Sequence, residues 1–217
     1  MLLKKMMLAS RATVDRLPIY YRSLKEALQE GIEIISSEEL GRRIGVTPEQ
    51  IRKDLSSFGE FGKKGVGYYV NELKRNIGEI LGLHKQWNIA IVGTGHLGWA
   101  LAHYRNFSEM GFEIKALFDV DPAKQGLEIG GVAIEPINKL AEVIEREKIQ
   151  IAIVAVPGDV AQEMTNALIA AGVQGIWNFA PVKLVVPDDI SIVNADLSAE
   201  LATISYQLLH REESQKV

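Results

Sequence analysis

WNIAIVGTGHLGWAL, residues 87–101, is the stretch on which the fold turns. Asn88 to Val92 is an apolar run of strand length, and it enters a turn whose glycines Gly93, Gly95 and Gly98 spell G-x-G-x-x-G before a helical stretch. Each glycine has a separate task in the phosphate-binding opening of a dinucleotide fold. Gly93 makes the tight turn, Gly95 lets the backbone approach a pyrophosphate, and Gly98 lets the helix pack closely. The helix start then offers free N–H groups and a partial positive charge to the anion, with Thr94, His96 and Leu97 completing the turn. The next strand-like run, Glu113 to Phe118, ends in Asp119, 21 residues beyond Gly98, where an acid should meet an adenine ribose. Aspartate there can accept both ribose hydroxyls and repels a 2′-phosphate, which favours NAD(H) over NADP(H). It can also serve as no more than a turn residue before Pro122.

Working outward, 217 residues suffice for two small domains, and 47% hydrophobic content suits packed cores. The chain has no cysteine, which removes disulfides, thiolate metal sites and thiol switches together; the four histidines show no metal-site spacing. No apolar run reaches the ~18 residues of a membrane span, and MLLKKMMLAS is too short in apolar core for a secretory signal. These features predict a cytoplasmic protein. Charge is distributed unevenly. Residues 1–85 carry 15 Lys and Arg against 11 Asp and Glu, a net +4; residues 86–217 carry 9 against 17, a net −8. A basic first part fits either a polyanionic partner or a solvated basic face.

That basic part, after a frayed tail over residues 1–9, has helical spacing from Arg11 to Glu30 and a stop at Gly31. Ser36-Ser37-Glu38-Glu39 is a capping-box start for a helix ending at Gly45. Thr47, with Pro48 at the first helical position, starts another that turns Ile51, Leu55 and Phe58 inward. Two short helices around Gly45 predict a helix-turn-helix, with Gln50, Arg52, Lys53, Ser56 and Ser57 outward, suited to base edges and phosphates. Residues 59–70 alternate glycines with Lys63-Lys64-Gly65 as a wing would, and a helix from Asn71 to Leu83 closes the domain near Lys85.

Past the glycine turn, one helix carrying His96, Trp99, His103, Tyr104 and Phe107 is expected. Then come a helix at Ile137–Arg146, a strand at Gln150–Val156 ending in Pro157, a helix at Val160–Ala171 and a strand at Gly175–Phe179. The last helix, Ser198–His210, lines up Leu201, Ile204 and Leu208 with Leu197 just before it, as core cover or as a dimer contact. An NAD-dependent dehydrogenase with an accessory domain would need a proton relay beside the nicotinamide. The only Y-x-x-x-K spacing, Tyr21 and Lys25, precedes the dinucleotide domain, and little chain remains for a substrate domain. A CoA-binding Rossmann fold fits the short sheet but not Asp119.

Together, SSEELGRRIGVTPEQIRKDLSSFGEFGKKGVGYYV (36–70), GTGHLG (93–98), FDVDP (118–122), AVP (155–157) and NFAP (178–181) resemble the Rex family of redox-sensing transcriptional repressors. The resemblance runs from about Arg11 to His210. It implies an α/β chain: a winged helix-turn-helix domain over 1–85, a Rossmann domain over 86–197, and a domain-swapped dimerisation helix and tail over 198–217. It also implies a homodimer that binds palindromic operator DNA when NADH is low and releases it when NADH binds. Arg52, Lys53 and Ser56 would touch DNA, with the wing at Lys63-Lys64-Gly65 near the minor groove. NADH or NAD+ would lie on Gly93, Gly95, Gly98, Asp119, Val156 and Pro157, with Asn178, Phe179, Ala180 and Pro181 nearby and Tyr104 and Asp196 also at the cofactor. Arg22, Tyr104 and Asp196 match the family's switch, in which the aspartate changes partners between the tyrosine and an arginine of the neighbouring subunit. The chain departs from the family at Ser57, where an aromatic is common, and at Leu197, where phenylalanine can pack near the nicotinamide.

Overall fold

The computed structural model describes residues 9–63 and 65–214, without the side chains of 212–214. Lys64 and all but the last residue of the expected N-terminal tail lie outside the described residues. The chain divides into two compact units that join between Lys85 and Gln86.

The first unit is built on capped helices. Helix α1 (Arg11–Gln29) starts where the Ser10 hydroxyl accepts the Thr13 N–H. A two-residue strand β1 (Ile34–Ile35) leads to α2 (Ser37–Ile44), capped by Ser36 and stopped by Gly45 at φ +71°. Helix α3 (Pro48–Ser56) is capped by Thr47, and α4 is Val70–Ile80. A Cβ at Gly41 would overlap the Val46 carbonyl oxygen, so glycine is what lets the α2–α3 turn close so tightly. Strand β2 (Tyr68–Tyr69) pairs antiparallel with β1. Before it, Lys63 and Gly67 bridge a tight turn that includes Gly65 at φ +80°. Leu17, Tyr20, Leu24, Leu40, Ile51, Leu55, Leu73 and Ile77 form one core, the inward stripes of all four helices.

The second unit is a seven-stranded sheet. Its strands are β3 (Trp87–Val92), β4 (Phe112–Asp119), β5 (Glu128–Ile129), β6 (Val132–Pro136), β7 (Ile151–Val154), β8 (Gly175–Asn178) and β9 (Ser191–Asn194). Their order is β5-β6-β4-β3-β7-β8-β9, parallel except for β5. Along β3 the side chains alternate. Ala90 and Val92 join one core with Phe118, Val154 and Leu168; Ile89 and Ile91 join another with Leu117, Ile153 and Phe107. The winding direction changes at β3, which pairs with β4 on one side and β7 on the other; its carboxyl end, the glycine turn, is therefore the switch point where open α/β sheets bind ligands.

Three expectations need correction. The helix after the glycine turn is broken into α5 (His96–Ala102) and α6 (Asn106–Glu109). The His103 ring Nδ1 takes the Trp99 carbonyl that the His103 N–H would use in a continuing helix, and that N–H turns to Ala100 instead. The segment at 137 opens as a 3-10 turn, Ile137–Lys139, before α7 (Leu140–Glu147). Strands β5, β6 and β9 were not anticipated. Helix α8 (Gly158–Ala170) precedes β8, and α9 (Leu197–Ser214) ends the described chain. Leu197, Leu201, Ile204, Tyr206, Leu208 and Leu209 on α9 are each more than half exposed, so its stripe does not serve as core cover.

Candidate functional site

At the switch point the three glycines are separated by what surrounds them. Gly93 has φ +92°, and a Cβ there would overlap the Ala155 carbonyl oxygen; at Gly98 it would overlap the Gly93 carbonyl oxygen. At Gly95 a Cβ meets nothing within 4 Å, and its φ of −66° suits any residue. Gly93 and Gly98 are demanded by the protein's own packing, whereas nothing in the fold requires glycine at Gly95. His96 is exposed on the first turn of α5 and Leu97 is half-buried.

Asp119 closes the turn from the next strand. Its Oδ2 accepts the Thr94 N–H (2.9 Å), the Thr94 hydroxyl (2.6 Å) and the Lys124 ammonium (2.9 Å), while Oδ1 accepts the Asp121 N–H (3.0 Å). Burial opposes its ionisation, but the Thr94 hydroxyl, Lys124 and the two backbone N–H groups outweigh it and hold the carboxyl well below the usual carboxylate range. The turn-residue role is therefore filled. A ribose hydroxyl on each oxygen would have to displace Thr94 or Lys124; Oδ1 is the oxygen with acceptor capacity left.

Along the same edge Val92, Val154, Asn178 and Asn194 stand in register on β3, β7, β8 and β9. Val156 and Pro157 lead into α8, whose first turn borders the crevice. Asn178 is not a free cofactor ligand: it is 1% exposed, its Nδ2 donates to Ala180 O, Val182 O and Asn194 Oδ1, and its Oδ1 accepts the Ala180 N–H. Phe179 remains half-buried, its ring 4.6 Å from that of Trp177, which meets Phe107 edge-on.

The expected switch residues fall in both units, and each has its own local setting. Tyr104 is 52% exposed, packs edge-on against Phe107 and accepts a hydrogen bond from Asn106. Asp196 Oδ1 caps α9 by accepting from Ser198 N–H, Ser198 Oγ–H and Ala199 N–H; the Ala199 bond leads in lowering its pKa. Arg22 is exposed on α1 in the first unit.

In that unit α3 presents Arg52, Lys53 and Ser56 to solvent. Arg52 donates to Ser37 Oγ (2.6 Å), Glu49 (2.9 Å) and Glu38 (3.3 Å), charge-assisted bonds that hold it over the start of α2 and α3. The Ser56 and Ser57 hydroxyls donate to the Lys53 carbonyl, and Lys63 lies 5.6 Å over the Tyr69 ring. Gln50, expected to face outward, is half-buried and donates to Asp54 Oδ1 (2.7 Å).

Asp54 itself was missed. Its buried carboxylate accepts from Thr13, Arg16 (2.6 and 2.8 Å), Tyr20 (2.7 Å) and Gln50, tying α3 to α1. Burial raises its pKa, but the bonds from Arg16, Tyr20 and Gln50 prevail and bring it to about 2. The available signal was its inward position between Ile51 and Leu55, since an acid on a core face needs a cation.

A helix-turn-helix with a short wing, in a chain whose second unit is a Rossmann sheet with an open glycine turn, defines a DNA-binding regulator of the ligand-responsive class. Comparison with known proteins makes this specific. The family described as "Putative DNA-binding protein N-terminus" matches residues 9–56, and "CoA binding domain" matches residues 84–182. Proteins named redox-sensing transcriptional repressor Rex are 44% identical in Clostridium perfringens, over 94% of this chain and 96% of that one. The one from Caldanaerobacter subterraneus is 46% identical over 97% and 94%. Among solved structures, RSP in complex with β-NAD+ and operator DNA is 44% identical with a TM-score of 0.90, covering 96% of both chains. RSP with β-NADH is 43% identical at 0.88, covering 96% of this chain and 98% of that one. The chain belongs to the Rex family of redox-sensing transcriptional repressors.

Proposed function

We propose that this chain is a homodimeric repressor that binds palindromic operator DNA through its winged helix and releases it when NADH occupies the Rossmann crevice. The observation that carries the reading is the pairing of two features in one chain: a recognition helix with Arg52, Lys53 and Ser56 outward, and a glycine turn open at Gly95. Captured states of a relative, one with NAD+ and operator DNA and another with NADH, support it. Residues 1–85 are the DNA-binding domain, 86–197 the dinucleotide domain, and 198–217 the dimerisation helix and tail, exchanged between subunits. Gly93, Thr94, Gly95, His96, Leu97, Gly98, Asp119, Val156, Pro157 and Phe179 form the cofactor site. Asn178 shapes that site from behind. Arg52, Lys53, Ser56, Ser57 and the wing at Lys63-Lys64-Gly65 meet DNA, with Gln50 at the margin, and Arg22, Tyr104 and Asp196 relay the switch. The relatives are named as repressors, so the reading is regulatory rather than a dehydrogenase.

The two cofactor forms differ by a positive charge and ring planarity, which an apolar nicotinamide subsite containing Leu197 would resolve in favour of neutral NADH. Coupling is reciprocal: ~100-fold tighter NADH binding to the DNA-free form corresponds to about 2.7 kcal/mol, and DNA weakens NADH equally. The test is a gel shift on a palindromic duplex at one fixed salt concentration, titrating NADH, NAD+ and CoA in parallel. NADH should dissolve the complex at concentrations where the other two leave it intact. Release by CoA instead, or no duplex binding at all, would overturn the reading.

A further inference from the structure

Asn178 and Asn194 end neighbouring strands opposite one another, and their side chains are joined: Asn178 Nδ2 donates to Asn194 Oδ1 at 2.9 Å. The backbone doubles the link, because the Ala195 N–H donates to the Asn178 carbonyl at 2.8 Å. The same Nδ2 also holds the loop that follows β8, through Ala180 O at 3.3 Å and Val182 O at 2.9 Å. On its other side that loop meets α8, where a Cβ on Gly158, the first residue of that helix, would come within 2.8 Å of Val182 Cγ1. Two residues beyond Asn194, Asp196 caps the first turn of α9 with three hydrogen bonds.

A primary amide has two N–H groups, and here they serve three acceptors. A shift of the loop therefore redistributes the bonds of Asn178 and alters its hold on Asn194. We infer that the Asn178–Asn194 amide bridge is a positioning link that carries the state of the 179–182 loop to Asp196 and α9. Asn194 is then a coupling residue that acts through Asn178. The inference rests on the function proposed above, in which Phe179 of this loop belongs to the cofactor site and α9 to the dimer. What it adds is the connection between them, which passes through one buried amide and lies wholly inside the second unit.

The test uses the full-length protein with Asn194→Ala and Asn194→Asp, the latter keeping an acceptor for Asn178. Two quantities are read: NADH affinity without DNA, and the NADH concentration that halves the duplex complex. For Asn194→Ala, affinity should stay within about twofold while the release midpoint rises roughly three- to tenfold, the range one net hydrogen bond supplies. Asn194→Asp should restore the wild-type midpoint. An unchanged midpoint in Asn194→Ala, equal shifts in both variants, or parallel loss of thermal stability and NADH affinity would overturn the link. Wild-type protein that keeps its DNA in NADH would instead remove the function on which the inference rests.

Discussion

Asp54 is a charge placed where a hydrophobic residue would be expected, and its value depends on keeping every donor in place. Asp54→Ala leaves the buried Tyr20 hydroxyl without its acceptor and frees a partly hydrated Arg16, so it should destabilise the first unit by about 1–3 kcal/mol, read by urea unfolding. The pH dependence has a definite sign. The folded pKa of about 2 lies below the ordinary 3.8, so the contribution is complete above pH 3.8 and lost as pH falls toward 2. Integrated, it is about 2 kcal/mol. The gap between wild type and Asp54→Asn should narrow over that window and stay constant above it. The sequence displayed the outward residues of α3 because they are local to one helix. It could not display this network, because Arg16 lies 38 residues from Asp54 and only the packing of α1 against α3 brings them together. Gln50 misled for the same reason: its helical position borders the outward face, but an acceptor one turn away draws its amide inward.

At the level of elements, the glycine turn separates demands made by the fold from those made by a ligand. Gly98→Ala must push the Gly93 carbonyl aside and should lower the melting temperature of the second unit while abolishing NADH binding. Gly95→Ala meets open space, so it should melt with the wild type yet bind NADH at least tenfold more weakly, as fluorescence titration would register. The strand, turn and helix around these glycines were legible because each signal lies within a few residues. So were the Ser36 and Thr47 caps. The break at His103 was not, since it depends on a ring nitrogen competing for one carbonyl and leaves the helical pattern of side chains intact. Strand β5, of two residues, is too short for alternation to show, and β9 has only Ile192 and Val193 between polar ends on an exposed edge, so neither gives the apolar run that marks β7. In the sequence Asp119 reads as a ribose acceptor or as a turn residue; that Thr94 and Lys124 already occupy its Oδ2 is visible only in three dimensions.

Across the whole molecule the charge division, +4 before Gln86 and −8 after, gives the two units opposite dispositions toward a polyanion. Duplex affinity should fall steeply with salt, whereas NADH affinity should respond weakly, a contrast that titrations at two salt concentrations would expose. The architecture, one basic helical unit and one acidic α/β unit, was legible from composition and motif order. The bare state of α9 was not, because an apolar stripe looks the same whether it covers its own sheet or another chain. If α9 makes the proposed dimer, a chain ended after Asp196 should behave as a monomer in light scattering, somewhat under half the mass of the full-length assembly. In the dimer proposed above, the six exposed large apolar side chains of α9 also make abundance an input to regulation. Their shelter comes by mass action, so the melting temperature should rise with protein concentration. Below the dimer's dissociation constant, active repressor falls with the square of subunit concentration, and halving synthesis then removes far more than half of the repression.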